Sequence, residues 1–472
     1  MDNFTGRKQK HKIDKTMKRV FLTLLSTLLF VATLSAQSPE IIREKLKANP
    51  DYTLATYTTY PTIDVAQRAK APRGFSPFYL STVNRHGSRY QNTPNANYFV
   101  ERITTLRKLE QENLLTELGK RILKYMCQAE EAQHDKIGEL SPLGAKQLYE
   151  MGQRADDCFG EIFSNGGKIV GITSTYNRCK ESMQNFVKGI KERNPDVTID
   201  LSWDDKYQAI VRPYNFSKAY DKAKQEAFKH HATMGEWLKS QEAWANSHEC
   251  KTSLAKIVTD VDLAIEKVGI HPFLFGYEMF SGLLFMQNFE IGERDLHTQI
   301  FSAEDMYAFY VYKAFNWNCT RACEGMAIMD IRHAHIRPLV EDIINQAERA
   351  IEGKDKVCAN LRFTHDTNVM PLLSALKING TRAIYTGDVE SCAVSTFVSE
   401  MIPMAANLQF VFYRNAKGEV LVRILLNESD AMVPIEGVAP HFYRWEALRN
   451  YMVGELAMFD RRIAEHNGQK SN

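Results

Sequence analysis

The chain lacks an excess of either charge, a second long apolar run and any internal repeat. Each absence removes a class of protein. Its 472 residues carry 59 Lys and Arg against 57 Asp and Glu. Residues 1–36 hold seven of the basic and two of the acidic residues, so the remainder has a net charge of −3. Without net positive charge, non-specific nucleic-acid binding loses its main driving term. No nucleic-acid partner is expected, and any anionic ligand has to be held by a local cluster. Beyond residue 36 no stretch is apolar over the roughly 20 residues that a spanning helix needs. No stable membrane insertion is therefore expected of that part of the chain. There is no low-complexity tract, and a chain 25% charged and 44% apolar is ordinary for a globular protein. Cysteine is sparse: the 8 residues Cys127, Cys158, Cys179, Cys250, Cys319, Cys323, Cys358 and Cys392. An even count in an exported chain allows disulfides, and about 105 complete pairings are open.

What is present at the start reads as a leader. Arg7, Lys8, Lys10, Lys12, Lys15, Lys18 and Arg19 precede an apolar run from Val20 to about Leu34, closed by small residues through Ala36. A basic start, a short apolar core and a small-residue exit is the pattern of a secretory signal peptide. The run is shorter than a membrane span, and no Cys near Ala36 offers a lipid anchor. Removal of residues 1–36 and export, to the periplasm or the medium, are expected.

Residues 37–75 mix polar residues with Tyr and Pro and read as an extended entry segment. "SPFYLSTV" at 76–83 and "GKIVGITST" at 167–175 read as buried strands, and "ANLRFT" at 359–364 as a third. Residues 97–136 read as mostly helical. Ser141 before Pro142 marks a helix start, and a further helix follows "STYNRC". "IRPLVEDIINQAERAIEG" is amphipathic and ends on a capping Gly353. Two alternating runs, "NLQFVFYRN" and "EVLVRILLNE", flank "AKG" as a hairpin. From about 195 to 325 helix formers and aromatics dominate and no clear strand stands out. The expected fold is α/β, doubly wound, with a mostly parallel sheet and helices on both faces. Its core spans 37–194 and 326–472, and 195–325 is an inserted helical cap.

Each of the three strands ends in unusual polar residues. The first runs into Arg85-His86-Gly87-Ser88-Arg89. The second is followed by Arg178, in the first turn of a helix. The third runs into His365-Asp366. Parallel sheets bind ligands just beyond the carboxyl ends of their strands. If the three strands are neighbours, three Arg, two His and one Asp meet in one crevice. Guanidinium forks match phosphate oxygens and stay charged. Three of them suit a phosphoryl group in transfer without a metal. A neutral imidazole can attack phosphorus and carry the group covalently. A neighbouring carboxylic acid can protonate the departing alkoxide. The set describes phosphomonoester hydrolysis through a phosphohistidine. Gly87 is expected to let the backbone approach the bound anion.

"RHGSR" resembles the RHGxR signature of the histidine acid phosphatases, and "HDTN" resembles their distal HD pair. "GELSPLGAKQLYEMGQR" and "STYNRCKESMQNF" resemble two further stretches of that family. The likeness runs from about Phe78 to "ILLNE", with a divergent middle. "RHGSRY" leans toward the multiple inositol polyphosphate phosphatase branch, which includes phytases. The resemblance implies His86 as nucleophile and Asp366 as proton donor. It implies phosphate binding by Arg85, Arg89, Arg178 and His365, and no cofactor. Two positions depart from the pattern. Gln91 stands where the family usually has Pro, and His365-Asp366-Thr367 stands where the inositol-polyphosphate branch usually has His-Ala-Glu. An Asp donor is the usage of the bacterial phytase and sugar-phosphatase branches.

The expected activity is an exported phosphomonoesterase acting on a small-molecule phosphate ester, with phytate or another inositol phosphate first. A sugar-phosphate or broad acid phosphatase is the alternative. A non-catalytic binder of phosphorylated ligands is the rival of another class, but it has no use for an acid beside the phosphate. His333 and His335 in "RHAH", with Cys319 and Cys323 upstream, do not have a familiar zinc spacing, and no metal is expected. The aromatic-rich middle, with Trp237, Trp244 and Trp317, reads as helical core. Substrate choice is expected to come from the cap and from side chains around Tyr90 and Gln91.

Overall fold

The computed structural model describes residues 38–63, 70–91, 98–164, 166–215, 222, 225, 234–324, 327–381, 383–384 and 387–469. The expected leader lies outside them. Among the described residues the strands are β1 Phe75–Arg85, β2 Lys168–Thr173, β3 Thr198–Ser202, β4 Cys323–Glu324, β5 Val357–Thr364, β6 Ala383–Ile384, β7 Asn407–Asn415, β8 Val420–Leu426, β9 Ser429–Asp430 and β10 Phe442–Arg444. Eight of them form one sheet in the order β10-β8-β7-β1-β5-β2-β3, with β9 paired to β8. β1 lies at its centre. It runs parallel to β5, β5 runs parallel to β2, and β2 runs parallel to β3. On its other side β7, β8 and β10 follow antiparallel. The class is α/β, as expected, and the sheet is mixed. The parallel half is where the strand ends of interest meet.

Both faces of the sheet are covered, and the period-two alternation of strand side chains shows how. Tyr79 and Val83 of β1, with Phe410, Phe412 and Ile424, point into one core. The helices Arg337–Ile351, Asp366–Ala375 and Trp445–Gln469 close it. Leu80, one residue on from Tyr79, joins Leu361, Phe363 and Val411 in the opposite core. There they meet Leu148, Met151, Met183 and Phe186 of the helices Pro142–Phe159 and Asn177–Lys191. A third cluster is wholly helical. It unites Phe99, Leu106, Ile122 and Met126, which precede residue 195, with Phe273, Phe280, Leu284 and Phe309. The helices Tyr98–Gln111 and Glu117–Gln133 therefore pack with the aromatic-rich middle. Trp237 is buried in the first core and Trp317 packs against it.

Two local features differ from the sequence reading. The entry segment opens with a helix, Pro39–Ala48, because Ser38 caps it, Pro39 occupies its first turn, and Ile42 and Leu46 share one buried face. Strand β3 falls inside the stretch in which no strand stood out. It is an edge strand whose first residues, Thr198, Ile199 and Asp200, are exposed, so alternation is weak there. His365 occupies the cap position and Asp366 is the first helical residue. The expected features hold at Ser141, whose hydroxyl accepts from the Gly144 N–H at 3.2 Å, and at Gly353, with φ of 71°.

The loop leaving β1 is wedged against the start of helix Pro142–Phe159. A Cβ on Gly144 would sit 2.0 Å from the Ser88 carbonyl oxygen, and one on Gly87 would sit 2.6 Å from the Gly144 carbonyl oxygen. The glycine in the RHGSR motif thus serves a backbone-to-backbone contact that seats the loop. Gly144→Ala is expected to lower stability by about 1–3 kcal/mol, the usual cost of overpacking, read as a drop in urea midpoint. A midpoint unchanged from wild type would mean that the loop relaxes freely.

Candidate active site

The register of the parallel strands sets the site. Arg85 at the end of β1 pairs with Thr364 at the end of β5, and Phe363 pairs with Thr173 at the end of β2. Three chain ends therefore finish at one level on one edge. The first residues beyond them are pinned by main-chain bonds on both sides. The Arg85 N–H donates to the Ala406 carbonyl at 2.7 Å, and the His86 N–H to the Thr364 carbonyl at 3.1 Å. The His86 carbonyl accepts from the Ala405 N–H at 2.9 Å. The Gly87 N–H donates to the Ser182 hydroxyl and the Ser88 N–H to the Gln147 side chain, at 3.1 and 2.9 Å.

All six residues singled out from the sequence gather here. The His86 and His365 rings lie edge to face with centroids 5.5 Å apart. Arg85 is fully buried. It donates to the carbonyls of Ile402 and Thr56 at 2.9 and 3.0 Å, and meets Asp366 Oδ2 at 3.0 Å. Arg89 donates to the Tyr90 carbonyl at 2.8 Å and Arg178 to the Gly138 carbonyl at 3.1 Å. The Nε atoms of Arg85, Arg89 and Arg178 are buried without a protein partner. His365 Nε2 lies 3.1 Å from the Ser174 hydroxyl.

His86 Nδ1 lies 2.9 Å from the Gly87 carbonyl oxygen. A carbonyl only accepts, so Nδ1 carries the proton and the lone pair is left on Nε2. The ring is also held neutral. Burial first, then the charges of Arg178, Arg85 and Arg89, push the His86 pKa well below the ordinary imidazole value. Burial and Arg178 do the same to His365, against the opposing pull of Asp366. Burial and the neighbouring Arg178 and Arg85 bring even Arg89 down to about 9. For Asp366, burial pushes upward, but Arg85, Arg89 and His365 outweigh it and hold the carboxyl below its usual range. The cluster therefore combines an uncharged imidazole, an ionised carboxylate and, among the described residues, more positive charge than that carboxylate balances.

A cavity of about 220 Å³ opens beside this cluster. Arg89, Asp366 and Thr367 line it from the sheet side, and Thr56 and Tyr57 from the entry segment. Arg102, Phe285, Lys313, Trp317 and Arg321 line it from the helical layer. Gln91 also lines it, and its side chain accepts from Gln133 Nε2 at 3.0 Å. Tyr90 instead packs on Phe289, with centroids 5.1 Å apart. Arg102, Lys313, Arg321, Ser174 and Arg212 are site residues that sequence reasoning missed. One signal was available: Lys313, Trp317 and Arg321 recur every four residues, and in the structure Arg321 stacks on Trp317 at 5.2 Å. Arg212 shares the Tyr176 ring with Arg178, at 4.7 and 4.4 Å. No pattern near Arg212 marks it. His333 and His335 are elsewhere: His333 bonds Ser374 at 2.9 Å and stacks on Phe459, while His335 faces Tyr214. Cys319 sits by Cys392, and the side chain of Cys323 lies outside the described residues.

The model of the histidine phosphatase superfamily (branch 2) matches residues 79–427. No curated protein sequence matches the chain. Among solved structures, the chain is similar to a multiple inositol polyphosphate phosphatase of Bifidobacterium longum in complex with phosphate. The TM-score is 0.69 at 19% identity, covering 85% of this chain and 97% of that one. The same enzyme in complex with inositol hexasulfate gives 0.67 at 19%, covering 84% and 97%. The phytase from D. castellii gives 0.57 at 16%, covering 86% and 85%. At these identities the likeness is one of fold.

The titrations fix how stability responds to acid. An unfolded imidazole takes up a proton near pH 6.5, while folded His86 and His365 resist until lower pH. Between those values the unfolded chain binds more protons, so stability falls as pH drops below about 6.5. Asp366, with its folded pKa lowered, adds stability that is lost on further acidification through that value. In His86→Ala the loss just below pH 6.5 is expected to be shallower by up to about 1.4 kcal/mol per pH unit, read by urea melts at pH 7, 6 and 5. Parallel profiles for the two proteins would show that His86 does not titrate in this way.

Proposed function

The chain belongs to the histidine phosphatase superfamily (branch 2), and on that premise we propose that it hydrolyses inositol phosphates, phytate among them, through a phosphohistidine. The enzyme class, histidine acid phosphatase, comes with the family. The observation that carries the mechanism is the Nδ1 contact of His86 with its neighbour's carbonyl inside a shell of arginines. It leaves Nε2 as a neutral nucleophile at a pH where a free imidazole would already be protonated.

In the first step Nε2 attacks phosphorus. The bond to the ester oxygen breaks, and the equatorial oxygens are stabilised by the forks of Arg85, Arg89 and Arg178 and by His365. The departing alkoxide takes a proton from Asp366. The arginines hold that carboxyl ionised, and a bound phosphate answers how it becomes an acid. Two or so negative charges beside the arginines cancel the field that held its pKa down, so the proton is loaded as the substrate binds. In the second step water attacks phosphorus as Asp366 takes its proton, the phosphorus–nitrogen bond breaks, and phosphate leaves with neutral His86 restored.

The substrate reading rests on the cavity wall. Arg102, Lys313 and Arg321 face the space next to the phosphoryl site. A sugar monophosphate brings one anionic group to this basic wall, whereas a ring bearing several phosphates brings one to the reacting centre and others to the wall. The similar fold crystallised with inositol hexasulfate supports the same reading. The helical layer that supplies these residues acts as the cap in this proposal, and the basic, apolar leader supports export.

His86→Ala is expected to lower kcat on phytate and on p-nitrophenyl phosphate by at least about 10³-fold, the usual scale for losing a nucleophile. Alkaline quench of wild type turning over labelled substrate should trap phosphate on His86. Equal turnover by mutant and wild type would sink the assignment. Asp366→Asn should slow alkyl phosphates about 10²-fold or more while sparing aryl phosphates with acidic leaving groups, because only poor leaving groups need the proton. A uniform loss across leaving groups would remove Asp366 from the acid role.

A further inference from the structure

Two thiols lie in contact behind the cavity wall. Cys319 Sγ and Cys392 Sγ are 3.7 Å apart and both residues are buried. They are 73 positions apart in sequence. Cys319 belongs to the π-turn Asn318–Ala322 that ends helix Ala303–Trp317, and Cys392 belongs to the helix Val389–Val394. The contact is supported on both sides. The Asn318 side chain donates to the carbonyls of Cys392 and Ala393 at 2.8 and 3.3 Å. The two segments are thus held side by side before any covalent link exists. A bond about 2.05 Å long needs only a small approach of the sulfurs.

We propose that Cys319 and Cys392 are a disulfide site, oxidised when the chain folds in an oxidising compartment. The proposal draws on the proposed export for its oxidant, a disulfide-bearing thiol oxidoreductase, with oxidised glutathione as its substitute in vitro. One cysteine thiolate attacks the oxidant's disulfide and expels a thiolate, giving a mixed disulfide. The second cysteine thiolate then attacks the protein sulfur and expels the other thiolate. Two protons and two electrons leave the protein, one sulfur–sulfur bond forms, and the oxidant ends as two thiols. Burial of both sulfurs means that the bond forms during folding and is then shielded from reductant.

The location gives the link a consequence for substrate binding. The π-turn that would be tied carries Arg321 and follows Trp317, and both line the cavity. The Ala322 carbonyl in the same turn accepts from Ser374, on the helix that begins with Asp366. A covalent tie to the helix Val389–Val394 therefore holds the segment that presents Arg321 and backs the helix that presents the acid. The loop it closes is long, and a cross-link stabilises chiefly by restricting the unfolded chain, more so for longer loops.

The test uses the full chain, refolded in a glutathione redox buffer, alkylated and digested without reduction. Trypsin cuts after Arg321, so Cys319 and Cys323 fall on different peptides. Mass spectrometry is expected to find the Cys319 peptide joined to the Cys392 peptide. Recovery of both as alkylated thiols, or of Cys392 joined to the Cys323 peptide, overturns the proposal. As a second measurement, Cys319→Ser and Cys392→Ser should each lower Tm by about 5 °C, and the double variant should lose little more. Shifts that add in full would show two independent thiols and also overturn it. Neither measurement depends on whether the enzyme proves to act on inositol phosphates or on whether it is exported.

Discussion

Positive charge buried without enough negative charge to match it is the constraint on which the site depends. Arg85 has no exposed surface, and Arg89 and Arg178 are nearly as deep. Among the described residues one carboxylate, Asp366, is in ionic contact with Arg85. Burying charge is costly unless it is hydrogen-bonded and paired. Main-chain carbonyls of Thr56, Ile402, Tyr90 and Gly138 supply part of the compensation. Those carbonyls come from separated parts of the chain, so the site exists only when the whole α/β half is folded. In the proposed function an anion of phosphate's charge neutralises the uncompensated remainder. Burial first, and then the same excess, lowers the pKa of both imidazoles, and the excess holds the Asp366 carboxyl below its usual range.

Geometry turns this charge into chemistry. The parallel trio of β2, β5 and β1 delivers its ends at one level, and the antiparallel strands beyond β1 supply the Ala405 and Ala406 backbone that grips the other side of the motif loop. A bare backbone at Gly87 and Gly144 then lets a helix press on that loop. The His86 ring is oriented by the loop's own carbonyl, a contact between adjacent residues that costs no long-range order once the loop is seated. The helical layer contributes differently. It adds Arg102 to the cavity wall, while Lys313 and Arg321 come from a helix and π-turn that also pack into the core of the sheet.

Asp366 shows how tertiary structure decides between two uses of one side chain. Asp favours helix caps, and a position between a strand and a helix admits that use. In the structure the main chain starts the helix one residue earlier, and the carboxylate turns to Arg85 instead. A buried guanidinium outcompetes a helix N–H for a carboxylate because the charge-assisted contact is the stronger one.

The residues that gather at the strand ends were legible because three strands, each strongly patterned, end in chemistry-bearing side chains. Arg85, His86, Arg89, Arg178, His365 and Asp366 needed only that pattern and the rule that parallel strands bind ligands at their carboxyl ends. The α/β class and the late hairpin were legible for the same reason, since buried strands and a tight turn are local signals. The helix at Pro39 and the edge strand β3 were missed where the local signal is weak or divided. Arg212 and Ser174 carry no local mark at all, and Lys313 and Arg321 only a faint one. Their place at the site is decided by how Val211, bonded by Thr364 and Asn368, and the π-turn after Trp317 are seated against the sheet. The protonation states also belong to the tertiary structure alone. A pKa depends on burial and on charges that meet only in space, so the sequence determined which groups could react and the fold decided the form in which each is held.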